Sequence, residues 1–304
     1  MLTKKIPVFN DPNANLYTYI LDKEISTDVY KKRPAVIIVP GGSYLFTATK
    51  EGEAVATRFL SKGYHTFVLR YSTYFKESIR DLDNPPPINK QSHYPLQLLE
   101  LMESIRIIKE NADEWYIDID NVFVLGFSAG GHITASLSTK WDAPSLLEKF
   151  QNITGDKDFF KPKGVVLGYP MLNVENLKKN MIENGGQMGE YQSKYVNQAL
   201  FGNEDPSNEQ EYDLTIRNHI RPDMPPVLLW QTTDDPLTKS ADATEFVLEM
   251  IKKEVSCEYH LFEHGKHGLA VSDKTYAKTE DDINMEVAEW LNLTINWLNA
   301  QISK

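Results

Sequence analysis

The residues with the clearest chemical meaning surround Ser128. Residues 126–130 (GFSAG) follow an apolar run at 122–125 and precede a helix-forming stretch. A serine in a sharp turn between strand and helix takes a strained backbone, and glycines two residues away on each side leave the space it needs. The next helix directs free N–H groups to the same point, where they favour negative charge on an attacked carbonyl oxygen. The pattern predicts a nucleophile at Ser128, with a simple glycine-rich turn as the alternative, and a packing role for His132.

A second part of the same site is predicted in residues 40–44 (PGGSY), directly after an apolar run. Two adjacent glycines let the backbone approach a substrate closely and turn its amides toward an oxyanion. We therefore expect an oxyanion hole made by the main-chain N–H groups of Gly42, Ser43 and Ala129, with Tyr44 contacting the substrate. Without the serine motif downstream, an ordinary Gly-Gly turn would be the better interpretation.

A serine hydroxyl requires a base to take its proton and a carboxylate to orient that base. Where the serine lies in such a strand-to-helix turn, the acid and then the histidine follow it in the chain. The apolar run at 227–230 leads to two adjacent acids, Asp234 and Asp235. We select Asp235, because it precedes Pro236 in the turn toward the next helix, whereas Asp234 is better placed to be solvated or to cap that turn.

The candidate base is His267, which lies between glycines in a loop that follows the apolar run at 258–262. Such a loop can carry an imidazole over the sheet toward the nucleophile. His260 within the run and His264 in the same loop are interpreted as packed or surface residues. The three histidines could instead bind a metal, but an H-E-x-x-H helix and a cysteine ligand are missing, so we expect none.

Strand-like and helix-like stretches alternate along the chain and would position these residues. Apolar runs predict strands at 35–39, 66–70, 122–125, 164–168, 227–230 and 258–262. Amphipathic stretches predict helices at 51–61, 96–111, 129–139, 241–253 and 283–299. This alternation predicts an α/β fold with a mostly parallel central sheet covered by helices on both faces, in a single domain over residues 1–304.

Two stretches depart from the alternation. Residues 72–94 are polar and contain three consecutive prolines, and residues 171–226 are far longer than a normal crossover. Both leave the sheet at the carboxyl ends of strands, where open α/β sheets bind ligands. We expect them to form pocket walls or a lid, with idle surface insertions as the alternative.

Composition excludes several classes of protein. The 304 residues carry 32 Lys plus Arg against 43 Asp plus Glu, a net charge of −11 that repels nucleic acid and anionic membranes. A single cysteine suits a reducing compartment. The first residues lack the apolar core of a signal peptide, and no stretch of eighteen apolar residues occurs. We expect a cytoplasmic protein without a membrane span.

The motifs together resemble a known family. PGGSY, GFSAGGH, TTDDP and GKHGL, in that order, are similar to motifs of the α/β-hydrolase esterase/lipase group, which includes acetyl esterases and acetylxylan-esterase-like enzymes. The resemblance extends from about Ala35 to the last helix. It implies one set of site residues: nucleophile Ser128, acid Asp235, base His267, and an oxyanion hole at Ser43 and Ala129 beside Gly42.

This chain differs from such relatives at two points. They commonly have a third glycine where Ser43 stands, and a Val-Pro pair soon after the acid where this chain has residues 237–239 (LTK). A backbone donor tolerates the first change, and the second weakens the choice between the two acids. The loops contain several aromatic residues that could line a pocket: Tyr44, Tyr71, Tyr74, Phe75, Tyr169 and Tyr191.

The expected function is a serine hydrolase that cleaves carboxylic esters through an acyl-enzyme, without metal or organic cofactor. The resemblance favours short acyl groups, above all acetyl, on small substrates such as sugars. A peptidase or amidase of the same fold and a catalytically silent binding protein are the alternatives. The expected partner is a small-molecule ester, and the oligomeric state, a homodimer included, stays open.

Overall fold

The computed structural model describes residues 1–9, 11–23, 32–75, 84–150 and 156–303, without the side chains of 176, 186–188 and 191. Its strands are β1 (Leu2–Val8), β2 (Asp11–Ile20), β3 (Arg33–Val39), β4 (His65–Arg70), β5 (Ile117–Phe127), β6 (Gly164–Gly168), β7 (Val227–Thr232) and β8 (Cys257–Phe262). In these residues the eight strands form one sheet in the order β1-β2-β4-β3-β5-β6-β7-β8. Strands β3 to β8 run parallel, whereas β1 and β2 pair antiparallel. The predicted α/β fold is thereby confirmed.

Helices connect and cover these strands. They are α1 (Glu53–Leu60), α2 (Leu96–Glu110), α3 (Ala112–Trp115), α4 (Ser128–Lys140), α5 (Pro144–Leu147), α6 (Val174–Phe201), α7 (Asn208–Leu214), α8 (Ser240–Lys252), α9 (Met285–Ala288) and α10 (Trp290–Ile302). The single helix predicted at 283–299 is therefore two helices. No helix in the described part of the chain combines the length and apolarity that a bilayer span requires.

The sheet separates two apolar layers, and β3 shows why. Ala35, Ile37 and Val39 belong to the layer shared with α2, α4, α6 and α8. Val36 and Ile38 belong to the opposite layer, shared with α1 and α10. Because successive side chains of a strand point to opposite faces, a central strand covered on both sides must be apolar at every position. Burying each such side chain stabilises the fold by about 1.5–3 kcal/mol.

The long stretch at 171–226 is not the irregular loop that its length suggested. It contains the 28-residue helix α6, helix α7 and a 3-10 turn at Ile216–His219. Helix α6 was missed because it has few apolar residues to reveal its period, with glycines inside it. In the other stretch, residues 76–83 lie outside the described residues, and Phe75 pairs with Ile88 across them.

Candidate active site

Ser128 stands at the turn between β5 and α4 with a φ of 50°, the left-handed region that side chains rarely adopt. The flanking glycines are required by close packing. A Cβ at Gly126 would lie 2.2 Å from the Gly130 carbonyl oxygen, and a Cβ at Gly130 would lie 2.0 Å from that of Val39. The predicted strained elbow is present, and it holds the Ser128 hydroxyl at the carboxyl end of the sheet.

The structure brings Ser128, Asp235 and His267 together. The His267 Nε2 atom lies 2.9 Å from the Ser128 Oγ, and its Nδ1 lies 2.8 Å from the Asp235 Oδ2. The three residues follow β5, β7 and β8, whose carboxyl ends lie at one edge of the sheet. With Nδ1–H donated to the carboxylate, Nε2 is free to accept the serine proton.

The choice of Asp235 is explained by its hydrogen bonds. Its Oδ1 accepts the main-chain N–H groups of Leu237 and Thr238, at 2.8 and 3.1 Å. Its Oδ2 accepts the Thr238 hydroxyl, at 3.0 Å, beside the histidine. A buried carboxylate needs such donors to stay ionised. Thr238 was not predicted as a site residue, although it lies where relatives have a Val-Pro pair, a difference that is visible in the sequence.

Asp234 contacts the loop that carries His267, residues 264–270 (the base loop), from its solvent-exposed side. Its carboxylate accepts the Gly265 main-chain N–H at 2.6 Å and lies 3.1 Å from the His264 Nδ1, both at the surface. The Gly265 hydrogen bond lowers the pKa of Asp234 below its usual value. His260, the remaining histidine of this region, pairs with Glu258 at 2.7 Å. Neither His260 nor His264 contacts the nucleophile.

The predicted oxyanion loop has an unusual backbone. Gly42, Ser43 and Tyr44 all have positive φ values, 123°, 56° and 62°. The Gly42 carbonyl accepts the N–H groups of residues 45 and 46, whereas the N–H groups of Gly42 and Ser43 have no partner among the described residues. Ala129, in the first turn of α4, lies at the positive end of that helix. These three N–H groups are therefore available as anion donors.

Tyr44, for which we predicted a substrate contact, lies in the interior of the protein. Its ring is fully buried, and its hydroxyl lies 2.7 Å from the His132 Nδ1. Burial lowers the pKa of His132 to about 4, so the imidazole is neutral. Its Nε2 then donates to the Leu214 carbonyl at 2.8 Å. Tyr44 thus anchors the oxyanion loop to α4, and His132 packs as expected.

Most of the other loop aromatics are also packed in the interior. Tyr71, Tyr74, Phe75 and Tyr169 are buried, and the Tyr191 side chain lies outside the described residues. Because large rings contribute most when they are removed from water, these positions stabilise the loops from within. That any of them lines a substrate pocket stays a prediction.

Helix α6 borders the triad. Its Asn180 and Asn184 side chains donate to the carbonyls of Leu237 and Pro236, at 3.1 and 2.8 Å, in the turn that carries the acid. Further along the same helix, the Tyr195 ring packs on Tyr74 and Phe75. The helix thus connects the acid turn to the start of the other long stretch. A role of both stretches as pocket walls stays a prediction.

A further ionisable group beside the site, Glu51, was not predicted. Its carboxylate is buried beside the site, where it accepts the Gly41 N–H at 2.6 Å and the Tyr169 hydroxyl at 2.8 Å. In the sequence it resembles any other acidic residue at the start of an amphipathic helix. Only the spatial order of β3, β5 and β6 places it here.

A strained serine after β5, an acid after β7 and a histidine after β8 on such a sheet define an α/β hydrolase. Two solved structures share the fold over nearly the whole chain. The carboxylesterase Cest-2923 from Lactobacillus plantarum WCFS1 is 25% identical with a TM-score of 0.76, covering 99% of this chain and 98% of that one. The acetyl ester-xyloside bifunctional hydrolase from Caldicellulosiruptor lactoaceticus is 26% identical with a TM-score of 0.73, covering 98% and 96%.

The chain belongs to the BD-FAE family of α/β hydrolases, whose family model matches residues 21–250. This confirms the resemblance to esterases of that fold. A further relative, the acetylxylan esterase of Xylanibacter ruminicola, is 22% identical over 262 residues, which are 84% of this chain and 45% of that protein. The chain spans only 35% and 45% of the length of the first two curated relatives that it matches.

Proposed function

We propose that the protein is a serine esterase that hydrolyses short-chain acyl esters, above all acetyl esters, of small substrates such as acetylated sugars. The continuous hydrogen-bond chain from the Ser128 Oγ through His267 to Asp235 carries this proposal. A binding surface needs no such chain, whereas a nucleophilic serine needs a base and a carboxylate that orients the base.

In the first half of the reaction, the Ser128 Oγ attacks the ester carbonyl carbon while its proton passes to the His267 Nε2. The carbonyl oxygen becomes an oxyanion that accepts the N–H groups of the oxyanion loop and Ala129. Asp235 stabilises the imidazolium through Nδ1–H and keeps its own negative charge. Collapse of the intermediate breaks the bond to the alcohol, which leaves with the proton from Nε2, and the acyl group stays on Ser128.

In the second half, water takes the place of the alcohol. The His267 Nε2 accepts a proton from water as its oxygen attacks the acyl carbon, and the same oxyanion donors bind the second intermediate. Its collapse returns the proton to the Ser128 Oγ and releases the carboxylic acid. Both halves need the same three side chains, so loss of the nucleophile stops the whole cycle.

Three observations support short acyl groups on small, neutral substrates such as sugars. The names of two relatives, an acetylxylan esterase and an acetyl ester-xyloside hydrolase, describe activity on acetylated carbohydrate. Ser128 is only 7% exposed, which suits the approach of a small acyl group. The net charge of −11 also favours a neutral substrate over an anionic one.

The test is a series of nitrophenyl esters of increasing acyl length, measured for the wild-type protein and Ser128→Ala. We expect the acetyl and propionyl esters to be cleaved fastest, and the variant to lose at least about 10⁴-fold in kcat. Acetylated xylose and acetylated xylan are then tested as sugar substrates, and their hydrolysis is measured as the release of acetate. A fluorophosphonate should label the wild-type protein at Ser128 and leave the variant unlabelled.

Each alternative has its own result. Rates that rise with acyl length would replace the acetyl specificity with a lipase-like one. Hydrolysis of nitroanilides faster than of esters would favour an amidase. A folded protein that cleaves none of these substrates and resists the fluorophosphonate would refute the enzyme itself.

A further inference from the structure

Glu51 is a buried carboxylate beside the triad that the reaction steps above do not use. It lies at the end of the 3-10 turn before α1 and is 3% exposed. Each of its oxygens accepts one hydrogen bond, Oε2 from the Gly41 N–H and Oε1 from the Tyr169 hydroxyl. Removing a carboxylate from water costs free energy unless hydrogen bonds or nearby positive charges compensate for the lost hydration.

The Gly41 donor lies directly against the nucleophile. A Cβ at Gly41 would be only 2.7 Å from the Ser128 Cβ and 3.0 Å from the Glu51 Oε2. Because each peptide group is planar, holding the Gly41 N–H fixes the peptide group between Pro40 and Gly41, from which the chain enters the oxyanion loop. The N–H donors of Gly42 and Ser43 follow directly after this fixed group. Through Gly41, Glu51 therefore constrains the positions of both Ser128 and the oxyanion loop.

The Tyr169 donor leads to the base loop. Its hydroxyl accepts the Ala270 N–H at 3.1 Å, so its own proton must go to Glu51, and its ring packs edge-on against His267 at 5.0 Å. A second connection joins the same two segments of the chain through Asp282. The Asp282 carboxylate binds Lys50 at 3.3 Å and Lys266 at 2.8 Å, the residues directly before Glu51 and His267.

The two groups that contact Glu51 require a hydrogen-bond acceptor at each of its oxygens. Burial raises the pKa of Glu51 above its usual value, and the Tyr169 and Gly41 hydrogen bonds and the nearby His267 and Lys50 offset this only in part. The Gly41 N–H can only donate, and Tyr169 has its proton committed to the same carboxylate. A carboxylate is acceptor-only at both oxygens and satisfies both donors, whereas an amide would present an N–H₂ group to one of them.

We propose that Glu51 is a positioning residue that holds the oxyanion loop, residues 41–44, and the base loop, residues 264–270, in their working arrangement around Ser128. It acts on the oxyanion loop through Gly41 and on the base loop through Tyr169. The inference rests on the proposed esterase function, since it concerns where the oxyanion donors and the base stand during that reaction.

The test compares Glu51→Gln with a matched control, Glu100→Gln. Glu100 is also a buried glutamate that accepts one main-chain N–H and one hydroxyl, both from Ser72, at 2.8 and 2.5 Å. It lies on α2, and its carboxylate binds Ser72 and no residue of the triad or of the oxyanion loop. The measurements are kcat and KM for nitrophenyl acetate, and the dissociation constant of an arylboronic acid, which forms a tetrahedral anion on the serine.

We expect E51Q to lower kcat by about 10- to 100-fold with KM within about twofold, because misplaced donors affect the transition state more than the bound substrate. Boronate binding should weaken by a similar factor. E100Q should match the wild type in all three quantities. Folding of each variant is followed by circular dichroism and thermal melting.

A folded E51Q with wild-type kcat and boronate affinity would overturn the proposal. So would an equal loss of kcat in E100Q. If E51Q does not fold, Tyr169→Phe removes one donor and keeps the carboxylate and the ring. It should lose about threefold to tenfold in kcat at constant KM, and unchanged kcat and boronate affinity in Y169F would equally overturn the proposal. A wild-type protein inactive on every ester refutes the proposed function as well, whereas an active wild type with an unaffected E51Q refutes this inference alone.

Discussion

Two aspartate–histidine pairs lie next to each other at the end of the sheet. Asp235 and His267 form the inner pair, with side chains 0% and 18% exposed and a separation of 2.8 Å. Asp234 and His264 form the outer pair, with side chains 53% and 73% exposed and a separation of 3.1 Å. The acids are adjacent in the chain and the histidines are three residues apart, so composition alone does not distinguish the pairs.

The difference lies in what surrounds each carboxylate. Asp235 accepts hydrogen bonds from two main-chain N–H groups, one hydroxyl and one imidazole, which fixes the ring that faces Ser128. Asp234 accepts one main-chain N–H in addition to its histidine, and water reaches both. A pair in water contributes little and orients nothing, whereas a buried pair with satisfied donors can hold a base in one tautomer. Catalytic capacity therefore follows burial and donor number.

The largest effect should come from removing one charge from each pair in turn. Asp235→Asn leaves an amide that can hold His267 in the wrong tautomer, and we expect a loss of about 10⁴-fold in kcat. Asp234→Asn should stay within about threefold of the wild type, because its partner does not contact the nucleophile. Hydrolysis of nitrophenyl acetate measures both.

Thermal melting of the two variants controls for folding, since the buried amide could disturb its neighbours. Comparable losses of activity in folded D234N and D235N would end the distinction between an inner and an outer pair. A larger loss in D234N would assign the acid to the other residue.

A smaller effect should come from the hydroxyl that marks the inner pair. Thr238→Val keeps the shape of the side chain and removes the hydrogen bond to the Asp235 Oδ2. A hydrogen bond to a charged group contributes about 1.5–3 kcal/mol, so we expect kcat/KM to fall by about tenfold or more. Thr238→Ser is the matched control, because it retains the hydroxyl and should stay close to wild type. Equal values for the two variants would mean that the hydroxyl does not orient the acid.

The smallest effect concerns the outer pair at low pH. Because the folded state lowers the pKa of Asp234, its contribution to stability is present above the unfolded value and is lost as the pH falls through about 4. Urea unfolding of wild type and D234N should differ by less than about 1 kcal/mol at pH 6, since the group is exposed, and by less again at pH 3.5. A difference that grows toward low pH would contradict this assignment.

Much of this arrangement could be predicted from local sequence. The apolar runs of the central strands are strong signals, because strands buried on both faces contain few polar residues, and the glycines around Ser128 indicate a turn with little room. The order of serine, acid and base then limits the search to strand ends. For these elements the local pattern and the tertiary structure agree.

The missed features depend on contacts between distant segments. Strand β1 is largely exposed, and β2 mixes buried residues with polar and half-buried ones, so neither shows an apolar run. The burial of Tyr44 depends on His132, 88 residues away, and that of Glu51 on Tyr169, 118 residues away. Helix α6 is polar on average and contains glycines, and its apolar side chains find their partners in the core. No local window contains these partners.

The separation of the triad along the chain has a consequence for the newly made protein. His267 follows Ser128 by 139 residues, so the elbow leaves the ribosome long before the base exists. Since folding proceeds from the N-terminal part during synthesis, the first strands and the serine can assemble while the polypeptide is still inert. If Ser128, Asp235 and His267 act as proposed, hydrolytic capacity appears only when β7 and β8 join the sheet, and activity is then a late and sensitive report that the C-terminal part has folded.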